Sequence, residues 1–212
     1  MPPALTVPPI EPPRRVSGTE GYGETADALV RSYESVSFAE VNGDVVHLLP
    51  TTPGRVIDIG AGTGRDAAAL AAMGHTVTAV EPTPELRAHG QRLHGASAIT
   101  WIDDSLPDLD VLHALGLHYD VVMLTAVWMH LDLEQRGRAM PRVAGLLAPG
   151  GVMPIRLRHG PVPEGRRMFD VSIEETAALA EACGLSTIHR GRRAGLFGVP
   201  DVHWSVVVFR RD

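Results

Sequence analysis

Three observations predict an α/β fold whose mostly parallel sheet carries helices on both faces. Short runs rich in Val and Ile alternate with Ala- and Leu-rich helical runs from Arg55 onward. The first such run ends in a glycine turn that leads straight into a helix, "VIDIGAGTGRDAAAL", Val56 to Leu70. The last two strand-like runs are joined by "GRRAGLFGVPD", which has no helical pattern, so that pair should be antiparallel.

The elements follow in order. Residues 1–18 open with "MPPALTVPPIEPPRR", six prolines in fifteen residues, and read as a proline-rich flexible arm with none of the long apolar stretch of a secretory signal. Residues 19–50 read as an N-terminal helical lid segment. Ala28, Leu29, Tyr33, Val36 and Val41 share one helical face, and Asn42-Gly43 should break it. Residues 51–212 form the main domain. "RVIDIG" is its first strand and "GRDAAALAAMG" a helix closed by Gly74. "HTVTAVE" is the second strand, followed by a helix with Thr83 as cap and Pro84 at its first position. "SAITWID" and "YDVVMLTAV" are strands three and four, separated by the short helical piece "DLDVLHALG". Pro141 should kink or split the helix "DLEQRGRAMPRVAGLL". "GGVMPIRLRHG" is the fifth strand, with a bulge or break expected at Pro154. The helix "SIEETAALAEACG" and the strands "LSTIHR" and "HWSVVVFRR" complete the chain.

Composition narrows the functions open to such a fold. The 212 residues are 44% hydrophobic and 21% charged with net charge -6, values of an ordinary soluble globule without a basic field for nucleic acid. All 19 basic residues are arginine, which excludes the Walker phosphate loop, Schiff-base catalysis and a lysine base. Cys183 is the only cysteine, so neither a disulfide framework nor a multi-cysteine zinc site is available, and no metal is expected. Its helical run suggests a buried, inert thiol. No run is long enough to span a membrane, and the expected location is cytoplasmic.

The glycine turn then poses a choice of ligand. Dinucleotide folds use G-x-G-x-x-G and bring pyrophosphate to the helix N-terminus. Here the glycines are Gly60, Gly62 and Gly64, interleaved with Ala61 and Thr63, and Arg65 takes the place of the last dinucleotide glycine. Asp58, at the end of the first strand, would repel pyrophosphate but attract the ammonium and sulfonium of S-adenosylmethionine. Glu81, followed by Pro82, ends the second strand, where a carboxylate can accept both ribose hydroxyls. Asp103 and Asp104 end the third strand, and either can accept the adenine amino group; Asp104 is favoured because Ser105 after it leaves room for a ring. Thr125 and Ala126 end the fourth strand and should line the methionine end.

"VIDIGAGTG", the Glu after "VTAV", the acidic end of "ITWIDD", "YDVVMLTAVWMHL" and "LLAPGG" together resemble a class I S-adenosylmethionine-dependent methyltransferase. The resemblance implies a Rossmann-like seven-stranded sheet of order 3-2-1-4-5-7-6 with the last strand antiparallel, and S-adenosyl-L-methionine as cofactor. His130 and His159, after strands four and five, are candidate general bases; the alternatives are a helix cap and a plain loop histidine. Trp128 is a candidate acceptor wall, with core placement as its alternative. No Asn-Pro-Pro-Tyr-like motif, Pro-Cys pair or basic aromatic stripe points to a nucleic acid, so the expected partner is a small-molecule methyl acceptor. The glycine- and proline-shaped segment "RLRHGPVPEGRR" gathers Arg156, Arg158, Arg166 and Arg167; one or two of them, Arg158 and Arg166 above all, are expected to clamp an anionic group of that acceptor beneath Tyr22 and Tyr33 of the lid, with solvated surface charges as the alternative. A monomer or homodimer is expected. The alternatives are a protein or RNA methyltransferase and an inactive cofactor-binding module.

Overall fold

The structure is a computed structural model that describes residues 16–212, so most of the proline-rich arm lies outside the described residues. Helices α1 (Ala26–Tyr33) and α2 (Phe38–Asn42) precede the alternating domain. Its first half runs β1 (Arg55–Ile59), α3 (Arg65–Ala72), β2 (Thr76–Val80), α4 (Pro84–Leu93) and β3 (Ile99–Ile102). The second half runs α5 (Asp110–Ala114), β4 (Tyr119–Thr125), α6 (Leu133–Gly145), β5 (Leu147–His159), α7 (Ile173–Ala182), β6 (Leu185–Ala194) and β7 (His203–Arg211). The sheet order is β3-β2-β1-β4-β5-β7-β6, parallel except where β7 runs antiparallel to β5 and β6.

The near-continuous apolar strands are explained by burial on both faces. Val56, Val121 and Met123 face Ala67 and Leu70 of α3 on one side. Ile57, Val122 and Leu124 share the opposite core with Met140 and Val143 of α6 and Ala177 of α7. All strand ends that carry the parallel order therefore open on one edge, where ligands of such sheets bind. Among the described residues, no helix is long and apolar enough to cross a membrane.

Several local details differ from the expectations. The N-terminal helical run ends at Asn42-Gly43 as expected, but it is also broken before Ser37, because Ser37 and Glu40 form a reciprocal capping box that starts α2. Thr83 occupies the cap position of α4, but its side chain makes no capping bond. Helix α6 runs through Pro141 without splitting. At Pro154 the β4–β5 ladder skips two pairs, as a residue without an N–H requires, but keeps its register: Val121 pairs with Val152 and Leu124 with Ile155. The irregularity lies earlier, between Tyr119 and Val121, opposite Ala148 to Gly151, where Gly150 adopts φ +76°. Strand β6 also continues to Ala194, past the predicted "LSTIHR", and this extension proves important for the site.

Candidate active site

The turn after β1 is built by backbone geometry that side chains resist. Gly60 has φ +73°, and a Cβ there would lie 2.7 Å from a methyl of Val127. The amides of Gly60 and Ala61 both donate to the Val80 carbonyl at 2.9 Å. Glu81 completes the tie between turn and sheet: one carboxylate oxygen accepts the Gly62 amide at 2.8 Å and the other accepts the Thr83 amide at 2.8 Å. Thr83 thus contributes its backbone N–H to the acid in place of a hydroxyl to the helix.

Asp58, Asp66 and Glu81 are all buried around this turn. Burial pushes the Asp58 carboxyl well above the usual carboxylate range; Asp66 and Glu81 push it further, while Arg65 pulls the other way. Burial likewise raises Glu81 against the opposing backbone hydrogen bonds from Thr83 and Gly62. A site that holds buried acids so close together favours a cationic ligand and penalises an anionic one.

A groove of about 430 Å³ opens over the turn. Asp58, Gly60, Ala61, Gly62 and Thr63 line it, as do Glu81 and Pro82 on the next strand end. Thr125, Ala126 and His130 line it from beyond β4, and Tyr33, Arg158 and Arg166 from the far wall. Ala126 holds φ +62°, a left-handed conformation uncommon for a residue with a Cβ, at the point where the strand turns under the groove.

Six expected site residues lie off the lining. Gly64 instead makes room for Trp101, whose ring would sit 2.7 Å from an added Cβ. Asp103 is exposed and pairs with Arg87 at 2.8 Å. Asp104 accepts the Ser105 amide at 2.8 Å and the Leu112 amide at 2.9 Å. The cap residue of α5 is Leu109, which has no side-chain acceptor, so Asp104 supplies one from outside the helix. This also draws Ser105 into the turn. Trp128 is fully buried core rather than a groove wall. His159 lies off the groove, bonded to the Ser205 hydroxyl at 2.7 Å and stacked on His203. Strand alternation sends it to the face opposite Arg156 and Arg158.

Two substitutions separate these roles. Asp104→Ala removes an acceptor from two backbone amides and should cost about 1–3 kcal/mol of stability in urea melts, with S-adenosylhomocysteine affinity unchanged; a loss of affinity without a loss of stability would restore its adenine role. Asp58→Asn should have the opposite profile. A carboxyl whose folded pKa is raised stabilises the fold fully only below its unfolded pKa, and that contribution is lost as pH rises toward the folded value. The asparagine variant should therefore melt higher than wild type at pH 7, converge with it near pH 4, and bind cofactor worse.

Several groove residues make contacts that the sequence did not assign to them. Thr83 and Leu86 line the groove beyond Glu81 and Pro82, where adenine was expected nearer β3. Tyr22 donates its hydroxyl to His130 Nε2 at 3.0 Å. His130 Nδ1 donates to the Arg167 carbonyl at 2.7 Å, which fixes the tautomer and leaves Nε2 as the acceptor. Burial lowers the His130 pKa and favours the neutral ring. Burial also raises the Tyr22 and Tyr33 phenols, so both remain protonated donors at neutral pH. Arg166 stacks 3.9 Å above the Tyr22 ring and donates to the Thr25 hydroxyl at 2.7 Å, which binds the N-terminal segment over the groove. Thr63 donates to Glu34 at 2.5 Å from the glycine turn, fastening the other end of that segment.

This geometry agrees with the comparisons. A family model described as a methyltransferase domain matches residues 56–151. An uncharacterized methyltransferase of Mycobacterium bovis is 37% identical over 108 residues, 49% of this chain and 40% of the relative. The chain therefore spans about two fifths of the length of the curated relatives it matches. A Burkholderia thailandensis 1,6-didemethyltoxoflavin-N1-methyltransferase superposes with a TM-score of 0.65 at 23% identity, covering 96% of this chain and 93% of its own. A TehB-like methyltransferase from Corynebacterium glutamicum gives a TM-score of 0.65 at 17% identity, with 90% and 98% covered. At these identities the two structures speak for the fold, and the family match speaks for the glycine turn and strand ends within it. Residues 56–151 thus match a methyltransferase domain, set in a chain whose fold is shared with solved S-adenosylmethionine-dependent methyltransferases.

Proposed function

We propose that this protein methylates a small-molecule acceptor by in-line transfer from S-adenosyl-L-methionine. The observation that carries this reading is the groove itself: a buried acidic cradle at the glycine turn and the free-base nitrogen of His130 face the same enclosed space. Asp58 would meet the cofactor's ammonium, and Glu81 its ribose hydroxyls while still holding the turn. Pro82, Thr83 and Leu86 would flank the adenine. When bound, the cofactor supplies a methyl group activated by its sulfonium.

The rest of the task falls to positioning and proton handling. Displacement at a sulfonium passes existing charge from sulfur toward the acceptor and creates none, so a well-oriented acceptor removes much of the barrier. His130 Nε2 accepts a proton from the acceptor where the attacking atom carries one, and Nδ1–H, held by the Arg167 carbonyl, keeps the ring aligned. Tyr22 occupies Nε2 in the closed arrangement, so an acceptor must either replace that hydroxyl or pass its proton through it.

The test is methyl transfer with the full chain, cofactor and pooled metabolites, read by S-adenosylhomocysteine release and by mass spectrometry for a singly methylated product. A methylated metabolite supports the reading. Cofactor binding with a methylated protein or RNA as the sole product would overturn the small-molecule assignment. Cofactor binding without any turnover would favour a non-catalytic module.

A further inference from the structure

The far end of the groove contains a positively charged corner that the cofactor reading does not use. Arg156 is 2% exposed on β5. Its Nη2 pairs with Asp44, its Nε donates to Asn42, and its Nη1 is buried with no partner. Arg193, at the extended end of β6, donates to the carbonyls of Glu40 and Val41 at 2.8 and 3.0 Å. Carbonyls satisfy its hydrogen bonds without neutralising its charge, and its Nε is also buried without a partner. Among the described residues, no carboxylate forms an ion pair with Arg193.

Register explains how these side chains meet. Trp204 on β7 pairs with Arg158 of β5 on one side and Arg193 of β6 on the other. Directly paired residues project from the same face of a sheet, so the three form one row. Two residues along β5, Arg156 lies on that same face, paired with Val206, beyond which Gly191 adds no side chain. Arg156, Arg158, Arg193 and Trp204 all line the groove. Leu196 and Phe197, 43% and 55% exposed in the β6–β7 connection, line it too.

The two arginines first expected to hold an anion are otherwise engaged. Arg166 bonds to the N-terminal segment and stacks on Tyr22; Arg158 donates Nη1 to the Pro161 carbonyl at 2.8 Å and, unlike Arg156 and Arg193, has no buried N–H left without a partner. A buried N–H without a partner is costly until something completes it, and the half-buried Arg193 guanidinium, which has no ion-pair partner among the described residues, attracts an anion. A carboxylate does both at once, because its two oxygens accept from a guanidinium fork.

We infer that Arg156 and Arg193 form a carboxylate subsite for the methyl acceptor, and that the acceptor is an apolar, ring-bearing monocarboxylate whose body lies along Trp204, Leu196 and Phe197. The inference rests on the methyltransferase reading and adds a substrate class to it. The acceptor atom then lies at a fixed distance from the acid, on the side of the ring that faces His130.

The experiment uses the full chain saturated with S-adenosylhomocysteine and calorimetric titration with a panel of hydroxylated aryl monocarboxylates, each matched by its neutral amide. At least one acid should bind ten-fold or more tightly than its amide. Arg193→Gln and Arg156→Gln should each remove that preference and leave S-adenosylhomocysteine affinity within about two-fold. Arg193→Gln carries the test if Arg156→Gln fails to fold, because Arg193 has no ion-pair partner to strand. Equal binding of acid and amide, no binding by any acid, or an unchanged preference in Arg193→Gln overturns the inference while leaving the cofactor site intact. A ten-fold loss of S-adenosylhomocysteine affinity in Arg193→Gln also overturns it, by assigning the arginines to the cofactor's own carboxylate. If wild type fails to bind S-adenosylhomocysteine at all, it is the methyltransferase reading that falls.

Discussion

Glu81→Ala is expected to weaken S-adenosylhomocysteine binding by roughly 100-fold or more. Two contributions add at this residue. In its proposed role the carboxylate accepts ribose hydroxyls, and hydrogen bonds to a charged group are worth about 1.5–3 kcal/mol each. It also accepts the Gly62 and Thr83 amides, so its removal loosens the turn against which the ligand rests. About 3 kcal/mol of lost interaction corresponds to roughly a hundred-fold in the dissociation constant. Glu81→Gln should lie between, since an amide keeps one accepting oxygen and presents two N–H donors where acceptors are needed. Calorimetry on both variants, with urea melts to confirm folding, checks the order. An alanine variant that remains folded and binds within three-fold of wild type would remove Glu81 from the site.

The glycine-turn half of the groove, which we propose for the cofactor, could be read from the chain because its signals are local. Glycines at alternate positions and acids at successive strand ends appear in sequence order, and a parallel sheet places successive strand ends along one edge. Asp58 and Glu81 reach the groove for that reason. Asp104 shows where the rule stops: an acid at a strand end also lies just before the next helix. Here Leu109, at the cap position of α5, cannot accept a hydrogen bond, so the helix takes the acid.

The half of the groove proposed for the acceptor depends on facts that adjacent residues do not carry. His159 and Arg158 are neighbours, yet strand alternation sends them to opposite faces. Arg193 joins the site only because β6 continues past Arg190 and its register with β7 brings it beside Trp204. Arg156 looked like one of several loop cations and proved fully buried. Tyr22 meets His130 across 108 residues of chain, a pairing no spacing rule predicts. The expected Trp128 wall failed for a related reason, since a short 3-10 turn rotates that ring into the core while presenting His130, two residues on, to the groove.

His130→Ala should lower kcat about 10²–10⁴-fold, the range general-base catalysis supplies, with S-adenosylhomocysteine affinity nearly intact. The structure fixes the direction of the accompanying pH profile. Burial lowers the His130 pKa, so the ring stays neutral, with Nε2 able to accept, below the ordinary imidazole value of about 6.5. Wild-type kcat should therefore hold through neutrality and fall only as pH drops past that value, when Nε2 gains a proton and can no longer take one from the acceptor. The same shift acts on stability: the unfolded imidazole protonates first, so the fold loses stability as pH falls below about 6.5, and His130→Ala should flatten that loss. Tyr22→Phe separates base from lid. It frees Nε2 without moving the ring, which the Arg167 carbonyl still holds at Nδ1, so kcat should change far less than in His130→Ala if the acceptor meets the imidazole directly. Equal losses in the two variants would make the tyrosine the relay through which the proton leaves. A pH-independent wild-type rate between pH 5 and 8, with His130→Ala still impaired, would leave the histidine only a positioning role.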